Sequence, residues 1–301
     1  MTPQDTPQPP ALSRAALDRA AEEREDPTLV PRLRADAETR VVVVSGDRTP
    51  VTADLRLRTF SPTEVTAVSD WAFLGRDTAG RALLVAPCEE PEAAALPAQE
   101  WASLREIGAA LPGEDAAALV AAVALGRWLR DAPFCSHCGA RTVVRASGWA
   151  RSCPACGREH FPRTDPAVIV AVSDAGGDRI LLGQNAQWRS RNVYSTFAGF
   201  VEAGESLEAA IVREIEEEAG VRVSDIRYRG SQPWPYPRSL MIGFHATVND
   251  ASVARPDGDE IVDVRWFTRA EIASALDGRA DFVLPGETSI ARRLITDWAA
   301  A

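Results

Sequence analysis

The chain has 301 residues, 46% of them apolar and 25% charged, enough for about two domains with cores of their own. Its formal net charge of −10 argues against broad nonspecific binding to nucleic acid, and every positive side chain is arginine because no lysine occurs. No run of eighteen apolar residues exists and the first 26 residues lack the basic-then-apolar order of a secretion signal, so a soluble, cytoplasmic protein with no membrane partner is expected.

Residues 1–27, rich in proline, alanine and charge, read as a flexible tail. Residues 28–131 read as an N-terminal domain. Its short apolar runs, RVVVVSG at 40–46 and RALLVAP at 81–87, are separated by Gly and Asp turns and predict a β-rich unit. The alanine-rich stretch from Glu114 to Asp131 predicts a closing helix, with charged ends that mark it as a packing helix and not a membrane span. Cys88, after an apolar run, reads as a buried or idle thiol.

The other four cysteines form two CxxC pairs, Cys135 with Cys138 and Cys153 with Cys156, fourteen residues apart. Each pair suits a tight turn that offers two thiolates to one Zn²⁺, and residues 139–152 can form a hairpin between them, so 132–162 reads as a zinc ribbon. Four thiolates complete a tetrahedron and leave no open position, which assigns the zinc to structure and makes His137 and His160 bystanders. Disulfides are the alternative, but nothing suggests export. The ribbon is also locally basic: residues 134–163 hold Arg141, Arg145, Arg151, Arg158 and Arg163 against only Glu159.

Residues 163–301 read as one further domain. Strands are expected at 167–173, 179–184, near 240–248 and near 262–267, with a C-terminal helix from Ser289 to Ala300. Between them lies GFVEAGESLEAAIVREIEEEAGV, Gly199 to Val221. Ser206 suits an N-cap and Gly220 a left-handed stop, so a helix of about four turns should join them. Glu214, Glu217 and Glu218 then stand at i, i+3 and i+4, while Leu207, Ile211, Ile215 and Ala219 form an adjoining apolar stripe. Like charges at that spacing repel by a few tenths of a kcal/mol per pair, which a hard cation such as Mg²⁺ or Mn²⁺ would reverse. Gly199, Glu205, Arg213-Glu214, Ile215, Glu217-Glu218, Gly220 and Val221 match the Nudix hydrolase signature at each constrained position, and the chain is identified as a member of that superfamily.

Residues Ser231–Met241, SQPWPYPRSLM, hold three prolines in five positions and read as a stiff preformed loop whose Trp234 and Tyr236 suit a binding wall. Ribbon, signature and this loop, in this order, resemble the NADH pyrophosphatase family, which removes NAD caps from RNA as well. The resemblance covers roughly 134–298, with Tyr236 where the family usually has Phe, and matches the N-terminal region only loosely. It implies an α+β chain: a Nudix α/β/α sandwich with a mixed sheet, preceded by the zinc ribbon and the β-rich domain. It implies a homodimer that hydrolyses the pyrophosphate of NADH or NAD⁺ to nicotinamide mononucleotide and AMP, with Mg²⁺ or Mn²⁺ at the catalytic centre.

Carried onto this sequence, the resemblance implies metal ligation by Glu214, Glu217, Glu218, Glu260 and the Ala198 carbonyl. Glu218 would handle the proton of the attacking water and Arg213 would orient the glutamates. Substrate contacts would fall to Arg105, Phe161, Phe200, Ala291 and the loop residues Gln232, Pro233, Trp234, Pro235, Tyr236, Pro237, Arg238 and Ser239, with Phe161 and Phe200 gripping the nicotinamide. Two other readings stay open on sequence: a Nudix enzyme for another nucleoside diphosphate derivative such as ADP-ribose, and a nucleic-acid-binding regulator with an inert Nudix domain.

Overall fold

A computed structural model describes residues 9–14, 17–65, 68, 70–90, 96, 100–248 and 250–301, and divides the chain into two compact units. One comprises Leu12–Thr164 with Pro235–Arg238; the other holds Asp165–Trp234 and Ser239–Ala301. Among the described residues no helix is long and apolar enough to cross a membrane.

The first unit contains helix α1 (Leu29–Arg34), strands β1 (Arg40–Ser45), β2 (Arg48–Val51), β3 (Ala72–Arg76), β4 (Ala82–Cys88) and β5 (Glu100–Ser103), then α2 (Leu104–Ile107) and α3 (Gly113–Asp131). The strands form one sheet in the order β3-β4-β1-β2-β5, with β1 and β4 parallel and the other pairs antiparallel. The valine run of β1 is buried on both sides because each face has a cover. Helix α3 packs on β1, β3 and β4, so closely that a Cβ on Gly126 would stand 2.9 Å from Val44 Cγ2. On the other face Leu29 and Leu33 of α1 pack with Val41, Val43, Phe73 and Leu84.

The expected tail over 1–27 falls partly on residues 1–8, 15 and 16, which lie outside the described set. Of the rest, Leu12 and Ala20 are buried, and Arg14 Nη2 donates to the carbonyls of Gly108 at 2.9 Å and Leu111 at 2.8 Å, so packing reaches back to Leu12. The ribbon follows as β6 (Val143–Arg145), β7 (Ala150–Ser152) and β8 (Glu159–His160), a three-stranded antiparallel sheet that contains the expected hairpin.

The second unit is built from β9 (Asp165–Ser173), β10 (Arg179–Asn185), β11 (Phe197–Phe200), α4 (Leu207–Ala219), β12 (Val223–Trp234), β13 (Ser239–Val248), β14 (Ile261–Thr268), α5 (Arg269–Leu276) and α6 (Ile290–Ala300). Its mixed sheet runs β12-β13-β9-β10-β14, with β11 also paired to β9 and with β9 and β13 parallel. Alternation along β9 serves both faces: Val168, Val170 and Val172 meet α4, while Ile169 and Ala171 meet α6. The result is a sheet between helices, as the pattern of elements predicts.

Two expectations change. Ser231–Met241 is not a loop throughout: β12 continues to Trp234 and β13 begins at Ser239, with Pro233 registered against Leu240, and only Pro235–Arg238 form the tip. Strand β12 lies at the sheet edge, where a proline's missing N–H need not break a ladder bond. Helix α5 is additional, launched by a capping box in which Thr268 Oγ1 accepts from Glu271 N and Glu271 returns a bond to the Thr268 backbone.

Candidate active site and zinc cluster

Helix α4 starts and stops where its capping residues require. Ser206 Oγ accepts from Ala209 N, and Gly220 takes the left-handed conformation at φ 65° while its N–H closes on the Glu216 carbonyl. Ile211, Ile215 and Ala219 are fully buried, which fixes the helix's rotation and turns the glutamate row toward β11. That row is organised by Arg213. Its guanidinium grips Glu205 in a fork, Nε to Oε1 at 2.9 Å and Nη2 to Oε2 at 2.8 Å, and reaches Glu214 at 2.8 Å, Glu217 at 3.1 Å and the Phe200 carbonyl at 3.1 Å. The fork, aided by the Glu202 N–H, holds the Glu205 carboxyl down at about 2. Glu205 thus belongs to the site as the anchor of Arg213, a role visible in sequence only as a fixed spacing of eight residues.

Gly199 is required by close approach. A Cβ there would fall on the carboxyl group of Glu214, so any side chain at 199 displaces that glutamate. Burial raises the Glu214 carboxyl above its ordinary range despite the pull of Arg213. Glu218, only 6% exposed, is pushed further, to about 8, by burial first and then by the charges of Glu260 and Glu214, against a hydrogen bond donated by the Ala198 backbone. Its Oε2 is buried with no hydrogen-bond partner. Glu260 is exposed, one residue before β14, with Oε1 accepting from Asn185 Nδ2 at 3.3 Å and its carbonyl accepting from Ala186 N at 2.8 Å. Asn185 was not foreseen; nothing in its local sequence sets it apart, because it reaches Glu260 only through the pairing of β10 with β14.

Glu214, Glu218 and Glu260 therefore repel one another around a spot bordered by Ala198 and Gly199. An orphaned buried carboxylate oxygen and a glycine cradle fit a hard divalent cation with oxygen ligands. Glu217 is more exposed and joins through Arg213.

The expected substrate residues are placed less uniformly. Phe161, just after β8, and Phe200, at the end of β11, are 48% and 53% exposed and each offers a ring face. Arg105 lies with its guanidinium 4.3 Å from the centre of the Tyr236 ring, and Arg127 is 5.2 Å from the same ring while donating to the Pro235 carbonyl at 2.8 Å. Burial, with the nearby charge of Asp47, raises the Tyr236 hydroxyl above its usual range. Pro237 and Arg238 are exposed, and Pro233 and Trp234 half-buried. Gln232 is wholly buried, its Nε2 donating to the Thr288 carbonyl at 3.1 Å, and Ser239 is also buried. Ala291 sits in the core of the second unit, its N–H donating to Ser289 Oγ at 3.2 Å.

The four cysteine sulfurs all lie within 4.8 Å of one another. Cys135 and Cys156 are 3.7 Å apart and Cys138 and Cys153 3.5 Å, close to the ~3.8 Å edge of a tetrahedron with Zn–S bonds of about 2.3 Å. The two turns are copies. Cys135 N bonds Ala140 O and Gly139 N bonds Cys135 O, just as Cys153 N bonds Arg158 O and Gly157 N bonds Cys153 O. Gly139 and Gly157 hold φ of 74° and 75°. Backbone N–H groups of Cys138 and His137 depress the Cys135 thiol and those of Cys156 and Ala155 the Cys153 thiol, while Cys138 and Cys156, crowded by the other sulfurs, are raised.

Residues 163–284 match the Nudix domain family, residues 130–161 the NADH pyrophosphatase zinc ribbon domain, and residues 18–128 the NADH pyrophosphatase-like rudimentary Nudix domain. A NAD-capped RNA hydrolase NudC of Mycobacterium bovis (strain BCG / Pasteur 1173P2) is 40% identical over 311 aligned positions, covering 97% of this chain and 95% of that protein. The chain belongs to the NADH pyrophosphatase family of Nudix hydrolases. Its counterpart in Mycobacterium tuberculosis (strain ATCC 25177 / H37Ra) is equally similar, and that of Pseudomonas aeruginosa (strain LESB58) is 40% identical over 216 positions, 72% of each chain. Membership of the NADH pyrophosphatase family extends to the N-terminal domain, which sequence reading matched only loosely.

Proposed function

We propose that this chain hydrolyses the pyrophosphate of NADH and NAD⁺ to nicotinamide mononucleotide and AMP, and removes NAD caps from RNA 5′ ends. The observation that carries this reading is the Arg213-clamped glutamate row around Gly199, with an unpartnered Glu218 oxygen at its centre. The names of the relatives support the choice of substrate. Glu214, Glu217, Glu218, Glu260 and the Ala198 carbonyl would hold Mg²⁺ or Mn²⁺, which when bound neutralises diphosphate charge and acidifies a water. Glu218 takes the proton of the attacking water as its oxygen bonds to phosphorus, and the bridging oxygen leaves with the other nucleotide's phosphate. Arg213 holds Glu214 and Glu217 in place through the reaction, and Glu205 holds Arg213. Residues 28–131, 132–162 and 163–301 act as N-terminal, ribbon and catalytic domains of a cytoplasmic homodimer.

A panel of nucleoside diphosphate derivatives, incubated with Mg²⁺ or Mn²⁺ and resolved by mass, tests the reading. NADH should yield the mononucleotide and AMP; preferred cleavage of ADP-ribose would overturn it. Phe200 supplies a further expectation. A lost base stack is worth roughly 1–3 kcal/mol, so Phe200→Ala should lower kcat/KM for NADH about 5- to 160-fold. A diphosphate lacking nicotinamide should suffer less, and equal losses on both substrates would remove Phe200 from base recognition.

A further inference from the structure

The ribbon sheet has two unlike faces. Val144, Arg151 and His160 register across its three strands, and this row is turned inward. Arg151 is 3% exposed, donating to the Leu129 carbonyl with its guanidinium 5.6 Å from the Trp128 ring. The adjacent row, Val143, Ser152 and Glu159, faces outward, and Arg141 and Arg145 stand two residues either side of Val143 on the same side of the chain. Phe134 bridges to Arg141, its ring 59% exposed and 5.9 Å from the guanidinium.

One face thus shows two exposed apolar side chains, Phe134 and Val143, interleaved with two arginines. Neither arginine is ion-paired among the described residues; Arg145 makes only a 3.3 Å bond to Ser152 Oγ, and Glu159 is the one acid in the row. Such a surface is unusual in a chain where 43 acidic residues outnumber 33 basic ones. Rings with free faces stack on unpaired bases, and guanidinium forks match phosphate oxygens, whereas a duplex hides its bases. Zinc on the four converging sulfurs would tie both turns of the sheet together, so little ordering would be needed on binding.

We propose that this outward face of the ribbon is a platform for the single-stranded RNA chain of the capped substrate. The proposal rests on the reading that NAD-capped RNA is a substrate, and the test separates the two. Anisotropy of a labelled, uncapped ten-nucleotide RNA would be measured against the full-length wild type, Arg141→Gln/Arg145→Gln and Phe134→Ala, alongside hydrolysis of NADH and of NAD-capped RNA. Loss of two phosphate contacts should reduce the log–log salt slope by about 1.4, at ~0.7 per single-strand contact. Affinity should fall on the order of tenfold in each variant, a duplex of equal length should bind the wild type more weakly, and kcat/KM should fall for capped RNA but not for NADH. Unchanged RNA affinity and slope in the double variant, with zinc content intact, would overturn the platform. If the wild type cleaves NADH but not capped RNA, the substrate reading fails while the affinity of uncapped RNA still decides the platform.

Discussion

Glu218→Gln should lower kcat for NADH at least about 100-fold while the fold is kept, the loss typical of a missing general base. Gln retains an oxygen for the Ala198 N–H and leaves the apolar stripe of α4 untouched, so the change removes charge and basicity without creating a cavity. Near-normal turnover would end the assignment. The same substitution has a second consequence in metal-free protein. The folded-state carboxyl sits at about 8 against an ordinary 4.5, so the folded chain holds the proton more tightly than the unfolded one. Its contribution is intact below about 4.5 and is lost as pH rises toward 8, where the buried group must ionise beside Glu260 and Glu214. Glu218→Gln should therefore raise the unfolding free energy of the metal-free protein at pH 8 by roughly a few kcal/mol, seen as a higher Tm, and barely change it at pH 4.5. A lower Tm at pH 8 would show that the carboxylate is not strained there.

Cys135→Ser should abolish stoichiometric zinc and melt the ribbon. A closed thiolate site contributes roughly 10–16 kcal/mol of apparent binding free energy in small zinc domains, far more than three short strands can supply. The damage should spread into the N-terminal sheet. A Cβ on Gly148 would collide with Ala72 of β3, Trp149 Nε1 donates to the Phe73 carbonyl at 2.7 Å, and Arg24 covers the Trp149 ring at 3.9 Å. Elemental analysis should find about one zinc per wild-type chain purified without chelator and almost none in the variant, whose first thermal transition should move down. A zinc-free wild type of normal stability would reject the site.

What was legible in the sequence was what short-range chemistry decides. Ser206 and Gly220 bound α4 because caps act within one turn, and the CxxC pairs announced their turns because each is complete in five residues. The proline-rich hairpin predicts a loop because proline is excluded from central strands, and only the sheet order reveals that β12 is at an edge. Helix α5 carried a readable signal, Thr268 and Glu271 at capping-box spacing, but is too short for periodicity to mark it. Gln232 and Ala291 matched substrate positions by alignment, yet their burial follows from α6 and Thr288, far away in the chain. Asn185 meets Glu260 across 75 residues of sequence, which no local pattern encodes.

The two large sheets repeat one plan. Strand order β3-β4-β1-β2-β5 corresponds place for place to β12-β13-β9-β10-β14, each with its one parallel pair in the same position. In both, the last strand runs into a short helix through a capping box, Ser103 with Glu106 and Thr268 with Glu271, before the long closing helix. The chain thus carries one sheet plan twice, with different covers. One has a helix of repelling carboxylates; the other covers the equivalent sheet with a stub bearing Leu29 and Leu33. Among the described residues of the first unit no acid is buried, so its sheet rests on apolar packing and carries none of the charge repulsion held beside β11.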